Sequence, residues 1–181
     1  MIPRRWHGLF ILFVLATSFV LFLRSGNSEL PVDLIAVTNA PPVSDFELNS
    51  LDGDLVRLSQ LKGRVVLINF WATWCPPCRE EMPSLQNAAI YFDDENFNVL
   101  AINVGETNEQ VRVFADEFGL TSDLTLLLDH DSRVFEQLDS RVLPTSLIVD
   151  RSGHLRYRAI GPRQFDSESI LQLIENLLNA S

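Results

Sequence analysis

The sequence predicts an α/β fold with a central mixed sheet and helices on both faces. Three observations carry this. Apolar runs of strand length alternate with helical segments from residue 43 onward. Two of those runs, RVVLINF at 64–70 and NVLAINV at 98–104, have no polar alternation, the mark of strands buried on both faces. Near the C-terminus, two strand-like runs flank Arg151-Ser152-Gly153, a hairpin turn that adds an antiparallel part.

The elements follow in order. Segments 45–48 and 55–58 flank Asp52-Gly53 and form an N-terminal β-hairpin before the main sheet. Strand 64–70 comes next, then a helix over 78–92 that Pro83 should kink, because proline has no N–H for the helical ladder. After strand 98–104, Thr107 and Gln110 make a capping-box pattern that opens a helix through Phe118, and Gly119 ends it. A short strand at 124–128, a short helix at 132–138 and strands at 145–149 and 155–159 follow. Asp166 or Ser167 caps a last helix that ends near Asn179.

Ahead of this domain, residues 6–23 contain no Asp, Glu, Lys or Arg. As a helix these 18 residues span about 27 Å and are apolar on all faces. Arg4 and Arg5 precede the run, which by the positive-inside rule leaves the N-terminus in the cytoplasm and the rest of the chain outside. Cleavage after Ala16 or Ser18 would leave an apolar new N-terminus, so an uncleaved anchor is expected. The division is thus an N-terminal signal anchor and transmembrane helix at 1–24, a linker at 25–42 rich in Ser, Gly, Asn and Pro, and one domain at 43–181. The expected location is the cytoplasmic membrane, with the domain on its extracytoplasmic face.

Composition narrows the function. The chain of 181 residues is 46% hydrophobic and 21% charged, which excludes a disordered chain. Its net charge is -10. Once Arg4, Arg5 and Arg24 are set aside, 11 basic residues stand against 24 acidic ones. Nucleic acid is therefore not an expected partner.

The chemistry lies in Trp74-Cys75-Pro76-Pro77-Cys78, which holds both cysteines of the chain between a buried strand and a helix. A cysteine at a helix start faces unpaired N–H groups and the positive end of the dipole, which favour a thiolate. The spacing brings the second sulfur within bonding reach. Pro76 and Pro77 fit the first turn, although together they remove N–H donors. A structural disulfide closing four residues would stabilise by only about 2 kcal/mol. A zinc site needs four ligands, and beyond these cysteines the chain has only His7, His130 and His154 among the usual nitrogen and sulfur donors. Redox exchange is the remaining use, with no cofactor and no metal. Asp129-His130-Asp131 reads as a polar loop after a strand, and Trp71 as core.

Residues 43–181 resemble the thioredoxin-like superfamily, and within it the extracytoplasmic TlpA/ResA-type thiol–disulfide oxidoreductases. The stretch Asn69-Phe70-Trp71-Ala72-Thr73-Trp74-Cys75-Pro76-Pro77-Cys78-Arg79-Glu80-Glu81-Met82-Pro83 carries this, with Ala101-Ile102-Asn103-Val104-Gly105-Glu106 and Leu143-Pro144-Thr145. The resemblance implies that Cys75 is the exposed attacking thiolate and Cys78 the buried resolving thiol. It implies a cis bond before Pro144, with the Leu143 backbone free to pair with substrate. Trp74, Pro76 and Pro77 would complete the substrate surface, Trp74 shielding the disulfide. Glu81 matches the carboxylate that ResA-type proteins place near the pair; the alternative is an ordinary helix-surface acid. Asn69 stands where thioredoxins carry a buried aspartate, so proton transfer to and from Cys78 falls to Glu81.

The resemblance further implies a reductase of protein disulfides, the CxxCH cysteines of apocytochrome c among them, fed by a CcdA- or DsbD-like membrane electron donor. The soluble domain is expected to be monomeric. A general disulfide reductase and a dithiol oxidase use the same residues and stay open, since thioredoxin-like potentials span about −270 to −120 mV. Copper transfer is a further alternative. Segment 43–70 also resembles the opening of peroxiredoxins, but a CPPC pair preceded by Trp is not a peroxidase cysteine site.

Overall fold

The computed structural model describes residues 34–92 and 95–180. The signal anchor expected at 1–24 lies outside the described residues. Among those that are described, no helix is long and apolar enough to cross a membrane.

Eight strands form one sheet: β1 (Ile35–Ala36), β2 (Glu47–Ser50), β3 (Leu55–Arg57), β4 (Val65–Trp71), β5 (Phe97–Val104), β6 (Thr125–Asp129), β7 (Thr145–Val149) and β8 (Leu155–Ile160). Their order across the sheet is β1-β8-β7-β4-β5-β6-β2-β3. The pairs β4–β5 and β5–β6 are parallel, and the other neighbours are antiparallel. The helices are α1 (Pro76–Tyr91), α2 (Asn108–Phe118), α3 (Arg133–Gln137) and α4 (Glu168–Asn179), with a 3-10 turn at Leu58–Leu61.

β4 is central because VVLINFW offers no solvent face, and all seven residues are buried. Its side chains alternate between two cores. Val65, Leu67 and Trp71 pack with Met82 and Leu85 of α1, Phe114 of α2 and Ile174 of α4. Val66, Ile68 and Phe70 pack with Phe46, Leu48, Leu58 and Val134 of α3. Helices do lie on both faces, but three share one of them. The crossovers β4–α1–β5 and β5–α2–β6 advance in the same direction along the sheet, and right-handed crossovers of that kind put both helices on one side.

Three boundaries differ from the sequence expectation by two residues or more. The first hairpin strand runs over Glu47–Ser50 rather than 45–48. Helix α1 begins at Pro76 rather than residue 78 and runs through Pro83 as one element. The expected linker 25–42 ends in ordered structure. Ile35 and Ala36 pair with Arg158 and Tyr157 of β8, and Pro42 bridges to His154. The open edge of β8 offers unpaired backbone groups that this extended segment satisfies.

Candidate active site

β4 ends at Trp71, and after three intervening residues Cys75 caps the N-terminus of α1. The Cys75 carbonyl accepts the Arg79 N–H at 3.1 Å, the first bond of the helical ladder. Pro76 and Pro77 occupy the first two helical positions, where a missing N–H costs nothing. Cys75 and Cys78 form a disulfide with an S–S distance of 2.05 Å. In this oxidised form Cys75 is 4% exposed and Cys78 fully buried. Cys75 is the outer of the two, but in this form it is buried rather than exposed as expected. Its sulfur is tied to a core residue and packed in the cluster that contains Trp71 and Met82.

What opens Cys75 to the outside is a groove of about 730 Å³. Trp74, Pro76, Pro77, Val104, Phe135, Val142 and Leu143 give it an apolar lining, and Glu136 and Arg141 are its charged members. Trp74 is 68% exposed, an uncommon setting for an indole and one suited to partner contact. Of the expected substrate-binding residues, Trp74, Pro76, Pro77 and Leu143 meet in this groove. The peptide bond between Leu143 and Pro144 is cis, as expected. Pro144 itself is buried, and its carbonyl accepts the Gly161 N–H.

Glu81 lies one helical turn beyond Cys78 and is 2% exposed, so it is not a surface acid. One carboxyl oxygen accepts from Asn69 Nδ2 at 2.8 Å. The other accepts the Arg163 backbone N–H at 3.0 Å. Burial penalises its charged form and pushes its pKa up to about 7, against the opposing pull of these hydrogen bonds. Asn69 Nδ2 also donates to Ser146 Oγ at 2.9 Å, which ties β4, β7 and α1 together behind the disulfide. A carboxyl that titrates near neutral pH can both accept and return a proton under working conditions.

Asp129 is fully buried and accepts the Val134 and Phe135 N–H groups at the start of α3, while burial raises its pKa. His130 Nδ1 meets the Glu106 carbonyl at 2.6 Å. The segment therefore joins two elements, and among the described residues there is no group of side chains that could hold a metal ion.

Sequence reasoning missed the groove's far wall (Val104, Phe135 and Val142), the backbone contact from Arg163, and Glu106. Glu106 lies in a quoted motif, but nothing local to it shows what it touches.

Residues 40–158 match the model of the AhpC/TSA family. The thiol-disulfide oxidoreductase ResA of Geobacillus thermodenitrificans is 34% identical over 143 residues, 79% of each chain. ResA of Bacillus subtilis is 32% identical over 118 residues, 65% of each. Among solved structures, a thiol:disulfide interchange protein of the thioredoxin family from Chlorobium tepidum superposes with a TM-score of 0.66 at 26% identity, covering 80% of this chain and 100% of that one. A DsbF homologue from Corynebacterium diphtheriae gives 0.69 at 25%, covering 85% and 96%.

Proposed function

We propose that this chain, which belongs to the AhpC/TSA family and is a thioredoxin-like thiol–disulfide oxidoreductase, works as a membrane-tethered, extracytoplasmic reductase of protein disulfides. The observation that carries this is the Cys75–Cys78 pair, with an apolar groove on its open side and the buried carboxyl of Glu81 one turn behind.

In the reduced enzyme the Cys75 thiolate attacks one sulfur of a substrate disulfide and expels the other as thiolate. Cys78 then attacks Cys75 in the mixed disulfide, which releases the second substrate thiolate and closes Cys75–Cys78. Two electrons pass from enzyme to substrate. Glu81 takes the proton that Cys78 loses on attack and returns it on reduction. Trp74, Leu143 and the two prolines hold an extended substrate segment against the pair, and Pro144 sets the Leu143 backbone beside it. Because the domain is proposed to lie outside the cytoplasm, its electrons would come through the membrane from a CcdA- or DsbD-like donor. The resemblance to ResA-type proteins implies a substrate of the apocytochrome c type, whose CxxCH cysteines must be reduced before haem attachment.

Replacing Cys78 with Ser leaves the first attack intact and removes the second. The reduced full-length Cys78→Ser chain, purified in detergent and mixed with a disulfide-bonded CxxCH peptide, is expected to accumulate an adduct through Cys75 that dithiothreitol releases. Absence of the adduct, with the wild-type chain equally unable to reduce the peptide, would count against this substrate class.

A further inference from the structure

The exchange described above uses Glu81 and leaves a second buried carboxyl, that of Glu106, without a part. We propose that Glu106 is a positioning residue for the dithiol: through Thr73 it fixes the turn between β4 and α1, and so sets where Cys75 presents its sulfur.

Glu106 is 5% exposed and follows the end of β5 by two residues. Its Oε2 accepts the Thr73 backbone N–H and the Asn103 side-chain amide, both at 2.7 Å. Its Oε1 accepts the Thr73 hydroxyl at 2.5 Å. The carboxyl is itself held, since its own backbone carbonyl meets His130 and Gly105 N–H donates to the Asp129 carbonyl at 3.0 Å. The positive φ of Gly105, 76°, turns the chain so that the carboxyl points back toward β4.

The turn it holds is short. Ala72, Thr73 and Trp74 link β4 to Cys75. The Ala72 carbonyl accepts the Cys75 N–H at 3.2 Å, and Trp74 stands largely in solvent and anchors nothing. Thr73 is therefore the point at which this turn is fastened, by two hydrogen bonds to one carboxyl. Its carbonyl faces Arg79 from the helix side at 3.5 Å. A turn fastened two residues before the nucleophile governs the line of attack, and small misplacements of a reacting atom cost large factors in rate.

Two substitutions separate geometry from bulk stability. Gln at position 106 keeps a carbonyl oxygen for the Thr73 and Asn103 N–H groups, and turns an NH2 toward the Thr73 hydroxyl, which can accept as well as donate. Ala leaves buried donors unpaired. The measurement is the second-order rate at which the reduced full-length chain, in detergent, reacts with the small aromatic disulfide DTNB, per folded molecule.

Glu106→Ala is expected to react at least tenfold more slowly than wild type, and Glu106→Gln within threefold of it. Slowing of less than tenfold in the Ala variant overturns the proposal, whatever its melting temperature. A Gln variant outside threefold also overturns it, because charge rather than hydrogen-bond geometry would then be acting. If the Ala variant does not fold, Thr73→Val takes its place, since it deletes the hydroxyl and keeps the N–H. A slowing of threefold or more supports the proposal and a smaller one overturns it. The proposal rests on dithiol exchange and not on the substrate class. A wild-type chain inert toward DTNB would fail that underlying reading instead.

Discussion

Glu81 is the residue at which burial and chemistry meet. The folded protein keeps its proton up to about pH 7, whereas an unfolded chain gives it up near 4.5. Its contribution to stability is therefore fully present below pH 4.5 and is lost as pH rises through 7, about 3 kcal/mol in all. Gln at this position cannot ionise. The stability of Glu81→Gln relative to wild type should rise by about that amount between pH 4.5 and 7.5, measured by urea unfolding of both oxidised proteins. A difference that stays constant across this window would mean that burial does not hold the proton on Glu81. The family resemblance pointed to Glu81, and the Asn at position 69 gave it the proton-transfer role. That the two touch was not legible, because the contact joins β4 to α1 across the core.

At the scale of elements, what was legible is what is local. Strand β4 is a continuous apolar run and starts and ends within one residue of its expected bounds. Helix α2 was read from Thr107, Gln110 and Gly119, and the structure has the full capping box at Thr107 and Gly119 in the left-handed conformation at the C-cap. Removing the Thr107 hydroxyl should cost about 1 kcal/mol. Thr107→Ala is then expected to melt a few degrees lower, roughly 2–4 °C, in a thermal scan. An unchanged melting temperature would show that the cap is idle. Non-local pairings were not legible. β2 lies against β6 although nearly eighty residues separate them, and β1 joins β8 from within the expected linker. Glu106 escaped for the same reason. Its contact with Thr73 depends on the register that sets Trp71 opposite Asn103, which no local pattern encodes.

For the whole molecule, the alternation of strands and helices gave the layered α/β class. The distribution of helices follows from strand order, which places α1, α2 and α4 in one core and leaves the other to α3 and the N-terminal hairpin. That asymmetry matters for function. The three-helix side buries Cys78, Glu81 and Asn69, and the lightly covered side leaves room for the groove between Trp74, Phe135 and Leu143. The disulfide thus has a protein interior behind it and an apolar groove in front.

Direction of electron flow is the central claim, and the reduction potential of Cys75–Cys78 tests it most directly. The full-length chain in detergent would be equilibrated against defined thiol–disulfide buffers, and its free thiols counted by alkylation. A reductase fed through the membrane is expected to lie below about −230 mV, towards thioredoxin. A value near −120 mV, like that of a strong dithiol oxidant, would contradict the account, because the protein would then donate disulfides rather than remove them.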